Sequence, residues 1–87
     1  MSIEALNWAF NLPLGSPSDK AVLIGLANHA NPSGQAWPAV ERLALYTGLT
    51  GRAVRLALRR LEDQGLIVTR HREAVSYTHL RAHETGR

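Results

Sequence analysis

Between Leu43 and Leu61 the apolar residues fall at a spacing that leaves the backbone little choice. Leu43-Ala44 is followed, after three residues, by Gly48-Leu49-Thr50 and then by Val54, Leu58 and Leu61, with Arg52, Arg55, Arg59 and Arg60 between the apolar positions. Such a pattern describes two short helices joined by a tight reversal. Gly48 follows the helical stretch Ala39 to Thr47, at the point where a left-handed residue closes a helix without a Cβ penalty. Ala44 supplies the small residue that steeply crossed helices need where they touch. Leu49 is expected to enter the core, and Thr50 is a good N-cap for a second helix running to about Gln64.

Within that second helix Val54, Ala57, Leu58 and Leu61 recur at i, i+3, i+4 and i+7, one continuous apolar stripe facing the rest of the domain. Arg52, Arg55 and Arg59 repeat the interval on the outward side, with Leu56 among them and Arg60 flanking. A charge run by itself is usually a solvated surface. Here it lies on the second helix of a helix-turn-helix, the element that enters the DNA major groove in proteins of this motif. The charge of the whole chain is divided accordingly. Residues 1–38 carry Lys20 against Glu4 and Asp19, whereas 39–72 carry seven arginines against Glu41, Glu62 and Asp63, and 73–87 balance. Positive charge is concentrated on the motif, as an anionic partner requires.

Upstream, Ile3, Leu6 and Phe10 share one face of a short helix beside Trp8. That face is expected to cap the core of its own domain, with packing against a second copy as the alternative. Leu12-Pro13-Leu14-Gly15 breaks the helix. Ser16-Pro17-Ser18-Asp19 has the form of a capping box with Pro at the first helical position. Val22, Leu23, Leu26, Ala27 and Ala30 then form a buried stripe. Asn31-Pro32-Ser33-Gly34 is a turn, Gln35-Ala36-Trp37 a short extended segment, and Pro38 opens the first helix of the motif. After Gly65 the run Leu66-Ile67-Val68-Thr69-Arg70 has the β-branched content of a strand.

The stretch Trp8 to Arg72, about three quarters of the chain, resembles the winged helix-turn-helix domains of phage and prophage replication-initiation proteins and related regulators. The residues that carry the resemblance are the run Lys20 to Asn31 with its Leu26-Ala27-Asn28-His29-Ala30-Asn31, then Gly34, Trp37-Pro38, Leu43-Ala44, Gly48-Leu49-Thr50 and Leu61 to Ile67. The resemblance implies a mainly α, winged helix-turn-helix fold of three to four helices with a short β-hairpin. It implies a DNA-binding domain of a replication initiator or transcriptional regulator, with a winged-helix protein-interaction module as the alternative. In the first reading the backbone N–H groups of Thr50 and Gly51 meet a phosphate at the helix start. Arg52 and Arg55 face base edges, while Arg59, Arg60 and Arg70 hold phosphates and Arg72 approaches the backbone from the wing. Double-stranded DNA is the expected partner, and a homodimer would supplement the weak binding of one recognition helix.

The tail reads differently. Val75 to Thr85 resembles one reading frame of a transposon-end sequencing adapter continued into its index primer. The expectation is therefore a native domain over 1–73, a non-native tail over 74–87, and a hairpin truncated before its returning strand.

Other functional classes find little in the sequence. An 87-residue chain has room for one core, which buries about 60% of the extended chain's surface. There is no cysteine for a disulfide framework or thiolate metal site. No apolar run of roughly 20 residues suggests a membrane span, and Met1 to Leu14 lacks the basic start of a signal peptide. A cytoplasmic location follows by default. His79 and His83 stand at i, i+4, but without a third ligand they predict no metal site, and His29 and His71 read as a solvated helix end and a wing residue. No nucleophile, base and orienting group can be assembled, so neither an enzyme nor a cofactor is expected.

Overall fold

The computed structural model describes residues 3–37, 39–72 and 75–81, with the side chains of 70–77 excepted. In chain order these residues form α1 (Ile3–Asn11), α2 (Pro17–His29), β1 (Gln35–Ala36), α3 (Val40–Thr47), α4 (Gly51–Asp63), β2 (Ile67–Arg72) and β3 (Val75–Leu80). The mainly α, winged helix-turn-helix architecture expected from the sequence is the one observed.

Helix α2 is the platform. Ser16 caps it, accepting the Asp19 N–H at 3.3 Å, and Pro17 takes the first helical position, where a missing N–H costs no helical hydrogen bond. Val22, Leu23, Leu26 and Ala27 are closed off from water, with Ala30 just beyond the helix end. Helices α1, α3 and α4 all pack on α2. The approach of α3 is so close that a Cβ on Gly25 would lie 2.9 Å from Leu43 Cδ2. Gly48, at φ 77°, closes α3 as predicted, and α4 lays Val54, Ala57 and Leu61 wholly inside.

Helix α1 is arranged otherwise than its sequence suggests. The residues it buries are Ala5 and Ala9, whereas Ile3 is 71% and Phe10 58% exposed; Leu6 is half-buried. The alanines let the α1 backbone lie close against α2, and that orientation turns the bulkier stripe sideways. Lys20 fixes the end of α1, its Nζ donating to the carbonyls of Phe10 and Leu12, each at 2.6 Å. Two acceptors at the end of a helix, where carbonyls lack intrahelical partners, are thereby satisfied.

The expectation of a truncated hairpin is corrected. The segment 75–80 returns antiparallel to β2, pairing from Arg72↔Val75 to Ile67↔Leu80, and also pairs with β1 through Gln35↔His79 and Ala36↔Thr78. The strand order is β1-β3-β2, so the returning strand is the middle one. Alternation explains the fit: Thr78 and Leu80 share one face, and both are buried. Two backbone bonds secure the end of the strand, Leu80 N–H to Gly34 O at 2.8 Å and Arg81 N–H to Leu66 O at 3.0 Å. Residues 73–74 and 82–87, with His83 among them, lie outside the described residues.

Two stability outcomes are expected. Gly25→Ala should cost about 1–3 kcal/mol in urea unfolding through overpacking, although a helix-interior alanine would otherwise be favoured. Adding Leu43→Val should recover part of the loss. Leu80→Ala should cost about 2–5 kcal/mol, and ending the chain at residue 73 should abolish the cooperative transition by removing the middle strand.

Candidate nucleic-acid interface

The turn between α3 and α4 is built from side-chain hydroxyls as well as glycine. Thr47 Oγ1 donates to Leu43 O at 2.7 Å and accepts the Leu49 N–H at 3.2 Å. Thr50 then caps α4, its Oγ1 accepting the Ala53 N–H at 3.1 Å. Leu49 is half-buried against the core. These contacts set the direction in which α4 leaves the turn, and with it the direction of each arginine.

Successive residues of a helix are about 100° apart, so burial of Val54, Ala57 and Leu61 turns Arg52, Arg55 and Arg59 outward. All three are exposed. The start of α4 meets the start of α3: a Cβ on Gly51 would lie 3.6 Å from Val40 Cγ1 and 3.8 Å from Arg55 Nη1. The Arg55 guanidinium thus lies back over the first turn of its own helix, where the positive end of the helix dipole also lies. Toward the other end the exposed Glu62 and Asp63 terminate the basic face. Positive charge is therefore concentrated toward the N-terminal part of the outer surface, the part of a recognition helix that meets base edges.

Arg60 departs from the expected grouping. Its Nε donates to both carboxylate oxygens of Asp19, at 2.9 and 3.1 Å, and its Nη2 lies 2.8 Å from Oδ1. Asp19 is buried at 3% exposure while the arginine side chain remains 48% exposed. The hydrogen bond to Asp19 raises the Arg60 pKa above its ordinary value; desolvation opposes this and the carboxylate's charge adds to it. Arg60 lies about 100° or more around the helix from the centre of the Arg52, Arg55 and Arg59 group. Its place is a forked tether from α4 to the first turn of α2. The sequence signal for this was the capping-box aspartate, which is too buried to serve as a surface charge.

Thr50 and Gly51 stand at the helix start as expected. The backbones of Arg70 and Arg72 are in β2, and their side chains, like that of His71, lie outside the described residues. Arg42, on the solvent side of α3, is a further exposed cation. It borders a recess of about 110 Å³ shared with His29 and Trp37. The His29 ring stacks on Tyr46, with centroids 5.1 Å apart and planes at 24°. Among the described residues no helix is long and apolar enough to cross a membrane.

An amphipathic basic helix seated on a second helix through a left-handed glycine, followed by an antiparallel hairpin, defines a winged helix-turn-helix, a class of DNA-binding domain. The model of the family described as helix-turn-helix domain matches residues 16–67, and the chain belongs to that family. Comparisons with curated proteins and with solved structures find no match. The matched region begins at the α2 cap and ends at the start of β2, leaving α1 and most of the hairpin outside it.

The division of labour among the arginines is testable. Asp19→Asn and Arg60→Met should each lower the melting temperature by several degrees, because one side of a partly buried pair is left without the other. Neither should alter the salt dependence of DNA binding. Arg52→Ala and Arg59→Ala should do the reverse, leaving the free energy of unfolding within about 0.5 kcal/mol of the parent while weakening DNA binding.

Proposed function

We propose that this domain binds double-stranded DNA sequence-specifically, with α4 in the major groove, as part of a phage-type replication initiator or a transcriptional regulator acting in the cytoplasm. The observation that carries the reading is the outward group Arg52, Arg55 and Arg59 on the second helix of the motif, opposite the buried Val54, Ala57 and Leu61. Arg52 and Arg55 read base edges, guanine O6 and N7 being the usual bidentate target of arginine. Arg59 holds a phosphate, joined by Arg70 and Arg72 from the wing. Thr50 and Gly51 bring the backbone N–H groups of the helix start to another phosphate. Arg60 is left out of this set because its guanidinium is committed to Asp19. The run Leu26 to Asn31 followed by Trp37-Pro38 favours the replication reading over the regulatory one. Binding and positioning, rather than catalysis, are the work assigned to these residues.

The test is binding of the full chain to a random-sequence duplex library, followed by a salt series on the selected sites. With roughly four phosphates neutralised, the log-log slope should be near −4. Arg52→Ala or Arg55→Ala should cost about 1–3 kcal/mol on the selected site and relax preference at one position, whereas Arg59→Ala should weaken all sequences alike and reduce the slope by about 1. Selection of no preferred sequence, or a preference that survives the Arg52 and Arg55 variants, would overturn the reading. A folded sample that binds no DNA at low salt would point instead to a protein partner.

A further inference from the structure

Helix α1 buries its small residues and exposes its large ones. Ala5 and Ala9 face α2 at 0% exposure, while Ile3 and Phe10 stand out beside the half-buried Leu6. These three share a stripe at i, i+3 and i+7; Leu6 and Phe10 form one wall of an open channel of about 550 Å³, and Ile3 stands one turn earlier on the same helix face. Its floor is the face of α2 that carries Ala21, Ile24 and Asn28, and its far wall is Tyr46 of α3, itself 57% exposed. None of the residues lining the channel is charged. Ile3, Phe10 and Tyr46 together expose on the order of 350 Å² of apolar side-chain surface, comparable to the largest apolar patch of a typical monomer, which is often a functional one.

We infer that this channel is a self-association surface, and that its occupant is the Ile3, Leu6 and Phe10 stripe of α1 from a second copy of the chain. Two observations select that occupant. First, one stripe supplies both a wall of the channel and the bulky side chains that project from it, the self-complementarity that a twofold contact requires. Second, the chain carries a net charge of +3, so two copies repel wherever their arginines meet. The residues lining the channel are uncharged and α1 contributes one charge, Glu4, while the neighbouring Lys20 ammonium is already held by the carbonyls of Phe10 and Leu12, so apposition here keeps the arginine faces apart. The basic face of α4 is left free on each copy. About half of what one partner gives to a standard interface comes from the three exposed side chains; Leu6, Ile24 and the polar edge of α1 add to it. The dimer stands apart from the DNA reading, and its detection requires no DNA.

Sedimentation equilibrium of the full chain, from micromolar to millimolar, measures the association directly. A monomer–dimer equilibrium is expected. Phe10→Glu and Ile3→Glu should each raise its dissociation constant about 30-fold or more with unchanged circular dichroism, since both side chains already face solvent in the monomer. Because the chain has no cysteine, Asn7→Cys on the exposed side of α1 gives a clean second measurement. It should form a disulfide-linked dimer under mild oxidation at concentrations where Arg59→Cys, on the outer face of α4, stays monomeric. A chain that remains monomeric throughout would overturn the inference. So would a dimer that withstands both glutamate variants, or one that cross-links through position 59 and not through position 7.

Discussion

Burial of one stripe of α2 is the contact on which the rest of the molecule depends. Val22, Leu23, Leu26 and Ala27 are shut off from water because three other helices lie over them. Each fully buried valine or leucine contributes about 1.5–3 kcal/mol, a large share of the few kcal/mol by which a domain this small is stable. The same helix supplies the glycine against which α3 fits and the aspartate that holds α4. Position and angle of the basic helix are thus inherited from α2 twice, once through close packing and once through a charge-assisted fork.

The fold was legible where one helix face had to do one thing. The α4 stripe, the left-handed Gly48, the Thr50 cap and the Ser16-Pro17 start of α2 each follow from local chemistry, and each stands where its chemistry puts it. The returning strand was illegible for a different reason. Pairing in a sheet is decided by backbone bonds and by one buried face, so a segment serves as a strand wherever it alternates suitably, whatever else its sequence resembles. Thr78 and Leu80 supply that alternation. Short-range patterning also gave no sign that the last strand would separate the first two, since strand order is a tertiary property.

The candidate site was read in part. Helical periodicity correctly groups Arg52, Arg55 and Arg59 on an exposed face, and it also shows Arg60 to lie off that face. What it cannot show is a carboxylate forty-one residues earlier in the chain that takes the guanidinium. In the same way, the Ile3, Leu6 and Phe10 pattern identifies an apolar stripe on α1 without saying which neighbour covers it. Alanine against α2 allowed a closer approach than isoleucine or phenylalanine would, and that competition between two faces of one helix is settled only by the surface it meets.

Lys20 gives the molecule an asymmetry in its surface chemistry. It is the only lysine in the chain, and its ammonium is held by the carbonyl of Phe10 near the end of α1 and that of Leu12 just beyond it. Every cation on the outer face of α4 is an arginine, whose charge persists at any ordinary pH and which acylating agents leave alone. Acetylation, or any amine-directed label, would therefore find one side-chain target in this protein. Its effect would be to unfasten the end of α1 from α2, with the arginine face left chemically untouched.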